Sequence, residues 1–193
     1  MPDKASIRKQ ILEKRASLSP DIVERAAKTA AEKLVIMEEY INAKTVMVYM
    51  DIRNEVPTGR IIDEIRRSGR ILVLPRMTED FRLIPCLIPG EGNLNDYLAV
   101  SGFGIPEPDP ALCEEADPSS IDLVVVPGSV FDQFGNRIGY GKGCYDKFLS
   151  SLAQAAFKLA LAYDIQVLPC IPADPYDVKM DKTLTIATVD RPH

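Results

Sequence analysis

The sequence predicts an α/β fold in three layers, in which a mostly parallel open sheet carries helices on both faces. Short segments rich in β-branched residues alternate with segments of helical periodicity, the arrangement that builds such layers. The run from Leu123 to Val126 is apolar without a break, which is typical of a parallel strand buried on both faces. With 193 residues, 46% of them hydrophobic, we expect one core and a single domain over residues 1–193.

Two helices are predicted before the first strand. The first covers residues 3 to about 17, with Ile7 and Ile11 on one apolar stripe. The second begins with Ser19 as N-cap and Pro20 at the first helical position, a sequence typical of helix starts. Its core face is predicted from residues that recur at helical spacing: Val23, Ala26, Ala27, Ala30, Leu34 and Met37.

Strands and helices are predicted to alternate along the rest of the chain. Thr58 is predicted to cap a helix that ends near Gly69. The strand over residues 81–88 contains Pro85, which lacks an N–H, so we expect a kinked strand or an edge strand. The other predicted elements are strands over 45–50, 70–75, 121–128 and 158–164, a helix over 144–156 and an extended segment over 182–190.

Composition excludes several classes of protein. A net charge of −5 disfavours non-specific nucleic-acid binding, which needs a basic face. No apolar run reaches the length of a membrane span, and residues 1–10 lack the apolar stretch of a signal peptide. We therefore expect no nucleic-acid partner and no membrane partner. The four cysteines form no CxxC pair, which fits a reducing compartment, so we expect a cytoplasmic protein. The sequence does not determine the oligomeric state, and our expectation is a monomer or weak dimer.

The histidine content limits the chemistry. The only histidine is His193, so catalysis by a histidine acid–base or by a Ser-His-Asp triad is not expected.

The segment GNRIGYGKGCYD, residues 135–146, has glycine at every second position from Gly139 to Gly143. It lies between a predicted buried strand and a predicted helix, where open α/β sheets bind ligands and helix N-termini attract anions. Glycine lets the backbone approach a ligand closely. Arg137 and Lys142 add positive charge, and Asp146 offers an oxygen ligand for Mg²⁺. Phosphate binding therefore explains the pattern.

The same glycines also have a structural interpretation. The segment is not a P-loop, because Asn136 and Gly143 stand where that motif has Gly and Ser/Thr. Cys144 interrupts the dinucleotide-binding pattern. A tight crossover with incidental surface charges would explain the glycine spacing too, so the residues alone leave both interpretations open.

Several segments, taken in order, resemble one family. The stretch DLVVVPGSVFDQFGNRIGYGKGCYDKFL closely resembles the signature of the 5-formyltetrahydrofolate cyclo-ligases, also called 5,10-methenyltetrahydrofolate synthetases. KASIR resembles the family's Lys-x-x-x-Arg element, and NEVPT its Glu-containing loop. LPR, FGIPEP and DVKMD resemble its strand-end arginine, its middle signature and its Asp-containing element. The resemblance implies a three-layer fold of the NagB/RpiA/CoA-transferase-like type.

The resemblance implies an ATP- and Mg²⁺-dependent ligase. Its reaction would close 5-formyltetrahydrofolate to 5,10-methenyltetrahydrofolate and release ADP and phosphate. Phosphorylation of the formyl oxygen, followed by attack of N10, needs positioning and charge neutralisation rather than a covalent nucleophile. The expected ligands are therefore ATP, 5-formyltetrahydrofolate and Mg²⁺.

The resemblance also implies roles for individual residues. Arg137 and Lys142 are the expected catalytic cations, and Asp146 and Asp177 the expected metal ligands. The expected ATP site comprises Lys4, Arg8, Arg137, Ile138, Gly139, Tyr140, Gly141, Lys142, Gly143, Cys144 and Tyr145. The expected folate site comprises Met50, Glu55, Arg76, Tyr140 and Cys144.

Ordinary structural roles would also explain many of these residues. Lys4 and Arg8 can form a solvated helix face, and Glu55 can be a surface loop residue. The chain departs from the family pattern at Cys144, where the family usually has tyrosine, and at Tyr176, where many bacterial members have histidine. Met50 can be an ordinary core residue, and Asp177 can have a turn-forming role. Asp146 can stand in the first turn of a helix because its charge interacts favourably with the helix dipole.

Two further functions remain open at the level of sequence. One is a different enzyme on a similar scaffold, such as a sugar-phosphate isomerase or a CoA transferase, which would not need ATP. The second is a non-catalytic folate- or nucleotide-binding homologue, which would bind both ligands without turning them over.

Overall fold

The computed structural model describes residues 3–102, 104–152 and 155–189, which form five helices and eleven strands. The helices are α1 (Lys4–Ala16), α2 (Pro20–Val35), α3 (Glu38–Asn42), α4 (Gly59–Arg67) and α5 (Cys144–Leu149). The strands are β1 (Thr45–Val48), β2 (Ile71–Met77), β3 (Leu83–Ile88), β4 (Leu98–Val100), β5 (Pro106–Pro108), β6 (Leu123–Val126), β7 (Val130–Asp132), β8 (Arg137–Ile138), β9 (Phe157–Tyr163), β10 (Val167–Leu168) and β11 (Lys182–Ile186).

Six of these strands form the central sheet, in the order β11-β9-β6-β1-β2-β3. Every neighbouring pair is parallel except β2 and β3, which are antiparallel. Val46 of β1 lies opposite Leu72 on one side and Leu123 on the other. The edge position predicted for the strand with Pro85 is confirmed, since β3 ends the sheet.

The two faces of this sheet are buried by different elements. Alternate residues of a strand point to opposite faces, so Val46 packs in a cluster with Ala30 of α2 and Ile62 of α4. Met47 packs on the other face, in a cluster that contains Phe148 of α5. The predicted three-layer arrangement is therefore confirmed, with helices on both faces of the sheet.

A smaller sheet supports α1. Its order is β10-β7-β8, and β7 follows β6 after a short turn. Ile7 and Ile11 of α1 form a separate apolar cluster with Val130, Ile138 and Ile171. The apolar stripe predicted for the first helix therefore packs on this small sheet, next to the glycine-rich segment.

Two helices end earlier than predicted, and one predicted cap lacks its side-chain hydrogen bond. Ser19 caps α2 as predicted, but that helix ends at Val35 before α3 begins at Glu38. Thr58 lies at the start of α4 without a capping hydrogen bond, because its hydroxyl donates to the Tyr49 carbonyl instead, at 2.7 Å. The helix predicted over 144–156 ends at Leu149.

The early end of α5 has a local cause. Ser150 and Ser151 donate their hydroxyls to the carbonyls of Lys147 and Phe148, at 2.7 and 2.6 Å, and so occupy acceptors of the last turn. Residues 153 and 154 of the predicted helix, residue 190 of the predicted extended segment and His193 lie outside the described residues. Within the described ranges, no helix is long and apolar enough to cross a membrane.

Candidate active site

A cavity of about 1160 Å³ opens where the carboxyl ends of β1, β2 and β6 meet α1 and the glycine-rich segment. This is the edge of a parallel sheet at which ligands bind in open α/β folds. Its lining includes these residues that the sequence predicted: Lys4, Arg8, Met50, Glu55, Arg137, Ile138, Gly139, Tyr140, Gly141, Lys142, Gly143, Cys144, Tyr145, Asp146 and Asp177.

Arg76 is the predicted site residue that the structure does not bring to the cavity. Its neighbours Pro75 and Met77 line the cavity, and Arg76 is not among the described lining residues. It lies 3.3 Å from the Glu115 carboxylate instead. Successive side chains of a strand point to opposite faces, which explains the separation. The folate role of Arg76 stays a prediction, without support from this geometry.

The glycines of the segment satisfy two different steric requirements. Gly141 and Gly143 have φ angles of 99° and 66°, in the left-handed region where other residues are strained. At Gly139 a Cβ would lie 2.9 Å from Nη1 of Arg137, so a side chain there would displace that guanidinium group. The alternating glycines therefore form a bare backbone wall that touches two guanidinium groups.

The wall is held by α1. Arg8 donates from Nε to the Gly139 carbonyl at 2.7 Å. One turn earlier, Lys4 Nζ lies 2.6 Å from an oxygen of Asp174 and 2.6 Å from an oxygen of Asp177. Partial burial lowers the pKa of Lys4, but these two carboxylates outweigh it and the net effect is a raised pKa. The ammonium group is therefore charged and faces the cavity.

A second cation–carboxylate pair lies deeper in the cavity. Arg137 is only 3% exposed and donates to Asp146 Oδ1 at 2.9 Å. The same oxygen accepts from the backbone N–H of Val178 at 3.4 Å. The Nε of Arg137 is buried without a hydrogen-bond partner among the described residues. The side chain therefore carries a donor that its own surroundings do not use.

Lys142 is exposed at the mouth of the cavity. Its Nζ lies 4.5 Å from the centre of the Phe81 ring, a cation–π distance. Phe81 is at the tip of the β2–β3 hairpin and has a φ angle of 59°, which is strained for an aromatic residue. The hairpin tip thus reaches the glycine-rich segment. We call the surface formed by Lys4, Arg8, Arg137, Lys142, Asp146 and Asp177 the glycine-loop half of the cavity.

The opposite side of the cavity is built around one buried carboxylate, and we call it the Glu55 half. Glu55 is 4% exposed and accepts from the Ile52 N–H at 3.0 Å and the Tyr140 hydroxyl at 2.7 Å. Burial raises the pKa of Glu55, and the Tyr140 hydroxyl, the Ile52 N–H and Arg15 oppose that rise. Burial, followed by the charge of Glu55, also raises the pKa of Tyr140. The phenol is therefore neutral and donates to the carboxylate.

Two residues that the sequence reasoning missed complete this half. Glu107 lines the cavity, accepts from the Met77 N–H at 3.2 Å, and has its pKa raised by burial. Arg15 is completely buried and donates to the Tyr140 hydroxyl. A signal for Arg15 was present, because it stands four positions after Ile11, on the apolar stripe of α1.

Cys144, Tyr145 and Met50 fill the space between the halves. All three are partly buried and line the cavity. Burial raises the pKa of the Cys144 thiol, which therefore stays protonated at neutral pH. The centre of the Tyr145 ring lies 5.7 Å from the Arg137 guanidinium carbon. The cavity therefore has a central apolar and aromatic section between two charged walls.

Oxygen ligands for a metal ion are present, but they do not form a dense cluster. Among the described residues, no group of three or more His, Cys, Asp or Glu side chains is arranged to hold an ion. Asp146 and Asp177 line the same cavity, and each is paired with a cation. An ion held by so few carboxylates requires oxygen donors from a ligand as well.

Comparisons with known proteins agree on one family. Residues 1–186 match the model of the 5-formyltetrahydrofolate cyclo-ligase family. The chain is 28% identical to the 5-formyltetrahydrofolate cyclo-ligase of Mus musculus, with 94% of this chain and 92% of that protein covered. It is 30% identical to the enzyme of that name from Mycoplasma pneumoniae, with 93% and 96% covered.

Solved structures give the same result. The NMR structure of Aquifex aeolicus 5,10-methenyltetrahydrofolate synthetase matches with a TM-score of 0.82 at 30% identity, covering 94% of this chain and 89% of that one. The 5,10-methenyltetrahydrofolate synthetase from Mycoplasma pneumoniae matches with a TM-score of 0.75 at 26% identity, covering 94% and 98%. The predicted fold class is confirmed by these matches, while the further likeness to sugar isomerases and CoA transferases stays a prediction.

Proposed function

The chain belongs to the 5-formyltetrahydrofolate cyclo-ligase family, and from this premise we propose that it closes 5-formyltetrahydrofolate to 5,10-methenyltetrahydrofolate at the expense of ATP. The observation that carries the proposal is the two-sided cavity. Its volume of about 1160 Å³ exceeds the range of roughly 300–1,000 Å³ typical of a site for one small molecule. One wall is cationic with exposed backbone, and the other presents a buried carboxylate.

ATP fits the glycine-loop half. Lys4, Arg8, Arg137 and Lys142 line this half and supply positive charge to phosphate oxygens. The bare backbone of Gly139, Gly141 and Gly143 lets phosphates come close. Four further residues complete the proposed ATP site by lining the same wall: Ile138, Tyr140, Cys144 and Tyr145.

Magnesium fits the same half. Asp146 and Asp177 offer hard oxygen ligands, and Mg²⁺ is usually bound by one or two carboxylates together with substrate phosphates. Arg137 and Lys4 balance these carboxylates, and we infer that both cations exchange these partners for the phosphates. When bound, the ion supplies further neutralisation of phosphate charge.

Folate fits the Glu55 half. An ionised carboxylate is an acceptor only, so Glu55 is suited to the amino and ring N–H donors of a pterin. Met50, Tyr140 and Cys144 line the adjoining surface, where an apolar and aromatic wall suits a flat ring. In this proposal the formyl group lies between the Glu55 half and the phosphates.

The chemistry then requires little beyond placement and charge. The formyl oxygen attacks the γ-phosphorus, and the bond from that phosphorus to ADP breaks. N10 next attacks the activated formyl carbon, the carbon–oxygen bond breaks, phosphate leaves and the N10 proton is released. Arg137 and Lys142 are proposed to offset the charge on the transferring phosphoryl group, the contribution that dominates phosphoryl-transfer enzymes.

One assay tests the proposal. Purified protein is mixed with 5-formyltetrahydrofolate, Mg²⁺ and ATP, and the ultraviolet absorbance of the methenyl product is followed. We expect product only when ATP and Mg²⁺ are both present. Turnover that does not depend on ATP would indicate a different reaction on this scaffold. Binding of both ligands by folded protein without product would identify a non-catalytic folate- and nucleotide-binding homologue.

We also propose a cytoplasmic location and a monomeric or weakly dimeric state. The scattered free cysteines support the first. Light scattering at several protein concentrations tests the second.

A further inference from the structure

Arg15 is a fully buried cation that is not among the described residues lining the cavity. It lies on α1, the helix that also carries Lys4 and Arg8. Its Nε donates to the Arg53 carbonyl at 3.1 Å, its Nη1 to the Gly128 carbonyl at 3.2 Å, and its Nη2 to the Tyr140 hydroxyl. The planar guanidinium group thus donates hydrogen bonds in three directions.

These three acceptors belong to three segments that build the cavity. Arg53 lies in the loop after β1, Gly128 follows β6, and Tyr140 is in the glycine-rich segment. The two strands are neighbours in the sheet, and Arg15 joins the loops that follow them to the glycine-rich segment, beside the hydrogen bond from Tyr140 to Glu55. Arg15 therefore fastens the Glu55 half of the cavity to the glycine-loop half.

Burying a guanidinium group is costly unless an opposite charge is close. Within the described part of the chain, no carboxylate accepts a hydrogen bond directly from Arg15. The negative charge of Glu55 is linked to Arg15 through one hydroxyl group. The Tyr140 hydroxyl accepts from Arg15 and donates to Glu55 at 2.7 Å. The phenol is thus a bridge between a buried cation and a buried anion.

The other charged or titratable groups around Glu55 do not replace this bridge. Those that interact electrostatically with Glu55 or its bridge are Asp51, Tyr49, Tyr145, Tyr163 and Arg53. Burial raises the pKa of Tyr163 to about 12, and burial raises the pKa of Tyr49 and Tyr145 as well. These three phenols are therefore neutral, and Asp51 repels the charge of Glu55.

We propose that Arg15 is a positioning residue that acts through the Tyr140 hydroxyl to hold the Glu55 carboxylate aimed into its half of the cavity, while touching neither ligand. The proposal rests on the proposed function for the identity of the ligand that Glu55 meets. It predicts that Arg15 governs the affinity for the folate much more than the affinity for ATP.

The test compares R15M, R15K and E55Q with the wild type, and R70M is the matched control. Arg70 also donates to backbone carbonyls, those of Ala43 and Ile41, and it stacks on the Tyr40 ring at 4.3 Å, away from the cavity. We expect R15M to raise the KM for 5-formyltetrahydrofolate by about tenfold or more, the usual result of leaving a buried polar group unpartnered. The KM for ATP should change by no more than about twofold in R15M and R70M.

The pH profile separates this role from a purely structural one. Ionised Glu55 is needed for folate binding, so affinity falls as the pH drops through its pKa. Without the guanidinium group, less opposes the effect of burial on the pKa of Glu55. This acid limb should therefore move to higher pH in R15M, and in R15K it should return most of the way to its wild-type position. Equal losses for both substrates, or an acid limb that stays in place, would overturn the proposal. If R15M does not fold, R15K should show a smaller shift in the same direction.

A second measurement needs no substrate. Urea unfolding of wild type, R15M, E55Q and the double variant at pH 7 forms a thermodynamic cycle. R15M should cost less stability in the E55Q background than in the wild type, because Arg15 has then already lost its countercharge. Additive losses would overturn the coupling. If the wild type shows no turnover, the proposed function fails, and this cycle still decides whether Arg15 acts on Glu55.

Discussion

The two halves of the cavity handle charge in opposite ways. In the glycine-loop half, Lys4 is paired directly with carboxylates that are themselves partly open to solvent. In the Glu55 half, the carboxylate is 4% exposed, and its countercharge is reached through a phenol. Direct pairs can exchange one partner for a ligand, whereas a buried bridge keeps one geometry. The first arrangement suits phosphates and a metal ion, and the second suits a ring that must be oriented.

The largest effect is expected for Lys142→Ala. Removing one cation from the charge developed on a transferring group costs roughly 10²–10³ in rate, so kcat/KM for ATP should fall by that order. Stability should hardly change, because the contact with Phe81 is worth only about 0.5–1 kcal/mol at an exposed site. Lys179→Ala, at an exposed position outside the cavity lining, is the control. Unchanged ATP kinetics in folded Lys142→Ala would contradict a phosphate role.

The second-largest effect is expected for Asp146→Asn, on the affinity for Mg²⁺. The amide keeps an acceptor for Arg137, which limits the structural damage, but it removes the charge that attracts Mg²⁺. We expect the Mg²⁺ concentration for half-maximal activity to rise by at least about tenfold, since even supporting residues of metal sites cost 10–100-fold in affinity. A Mg²⁺ titration at fixed ATP measures this. Asp63→Asn, at an exposed position of α4, is the control and should leave the titration unchanged. A wild-type titration curve for Asp146→Asn would reject Asp146 as a metal ligand.

Glu55→Gln should act on the other half alone. The amide presents a donor as well as an acceptor, so the KM for the folate should rise by about tenfold, within the usual range for an unmatched buried polar group. The KM for ATP should be unaffected. Because burial raises the pKa of Glu55, the wild-type folate affinity should fall at higher pH than an ordinary carboxylate would cause. This acid limb should disappear in Glu55→Gln and persist in Glu38→Gln, whose residue is exposed.

Gly141→Ala should lower the stability of the fold, and this effect should be smaller than those above. Its φ of 99° costs a residue with a Cβ about 1–3 kcal/mol, while the added Cβ would only touch the Arg8 guanidinium at 3.5 Å. Urea unfolding measures the loss. Gly59→Ala is the matched control, since nothing lies within 4 Å of its Cβ and alanine favours a helix. Equal stability of the two variants would show that the segment tolerates side chains.

The parts of the molecule that local sequence encodes were predicted well. The apolar run of β6, the start of α2 at Ser19 and the edge position of β3 all depend on neighbours in the chain, and all are confirmed. The end of α5 was wrong because serine hydroxyls compete for its last carbonyls, whereas Thr58 is the N-cap of α4 as predicted but donates its hydroxyl to the Tyr49 carbonyl instead of accepting from the helix. These are choices between two local hydrogen bonds, which residue type does not decide.

The site shows the same boundary between local and long-range information. The glycine-rich segment was found from its spacing, and the structure gives its glycines steric reasons. The burial of Arg15 and Glu107 was missed, because it depends on partners such as Gly128 and Met77, which stand 113 and 30 positions away. A charged side chain on an apolar stripe indicates burial, but its partner is known only from the three-dimensional structure.

The position of α1 has a consequence for how the protein becomes active. This helix precedes every strand in the sequence, but its contacts with the cavity reach residues 131 and 170 positions later. Contacts of such large sequence separation form late, since the intervening chain must first be ordered. During synthesis α1 therefore leaves the ribosome before the segments that it contacts, and it cannot dock until those segments have been made. A chain that lacks those later segments cannot form the contacts of Lys4 and Arg8, so the proposed ligand sites depend on completion of the fold.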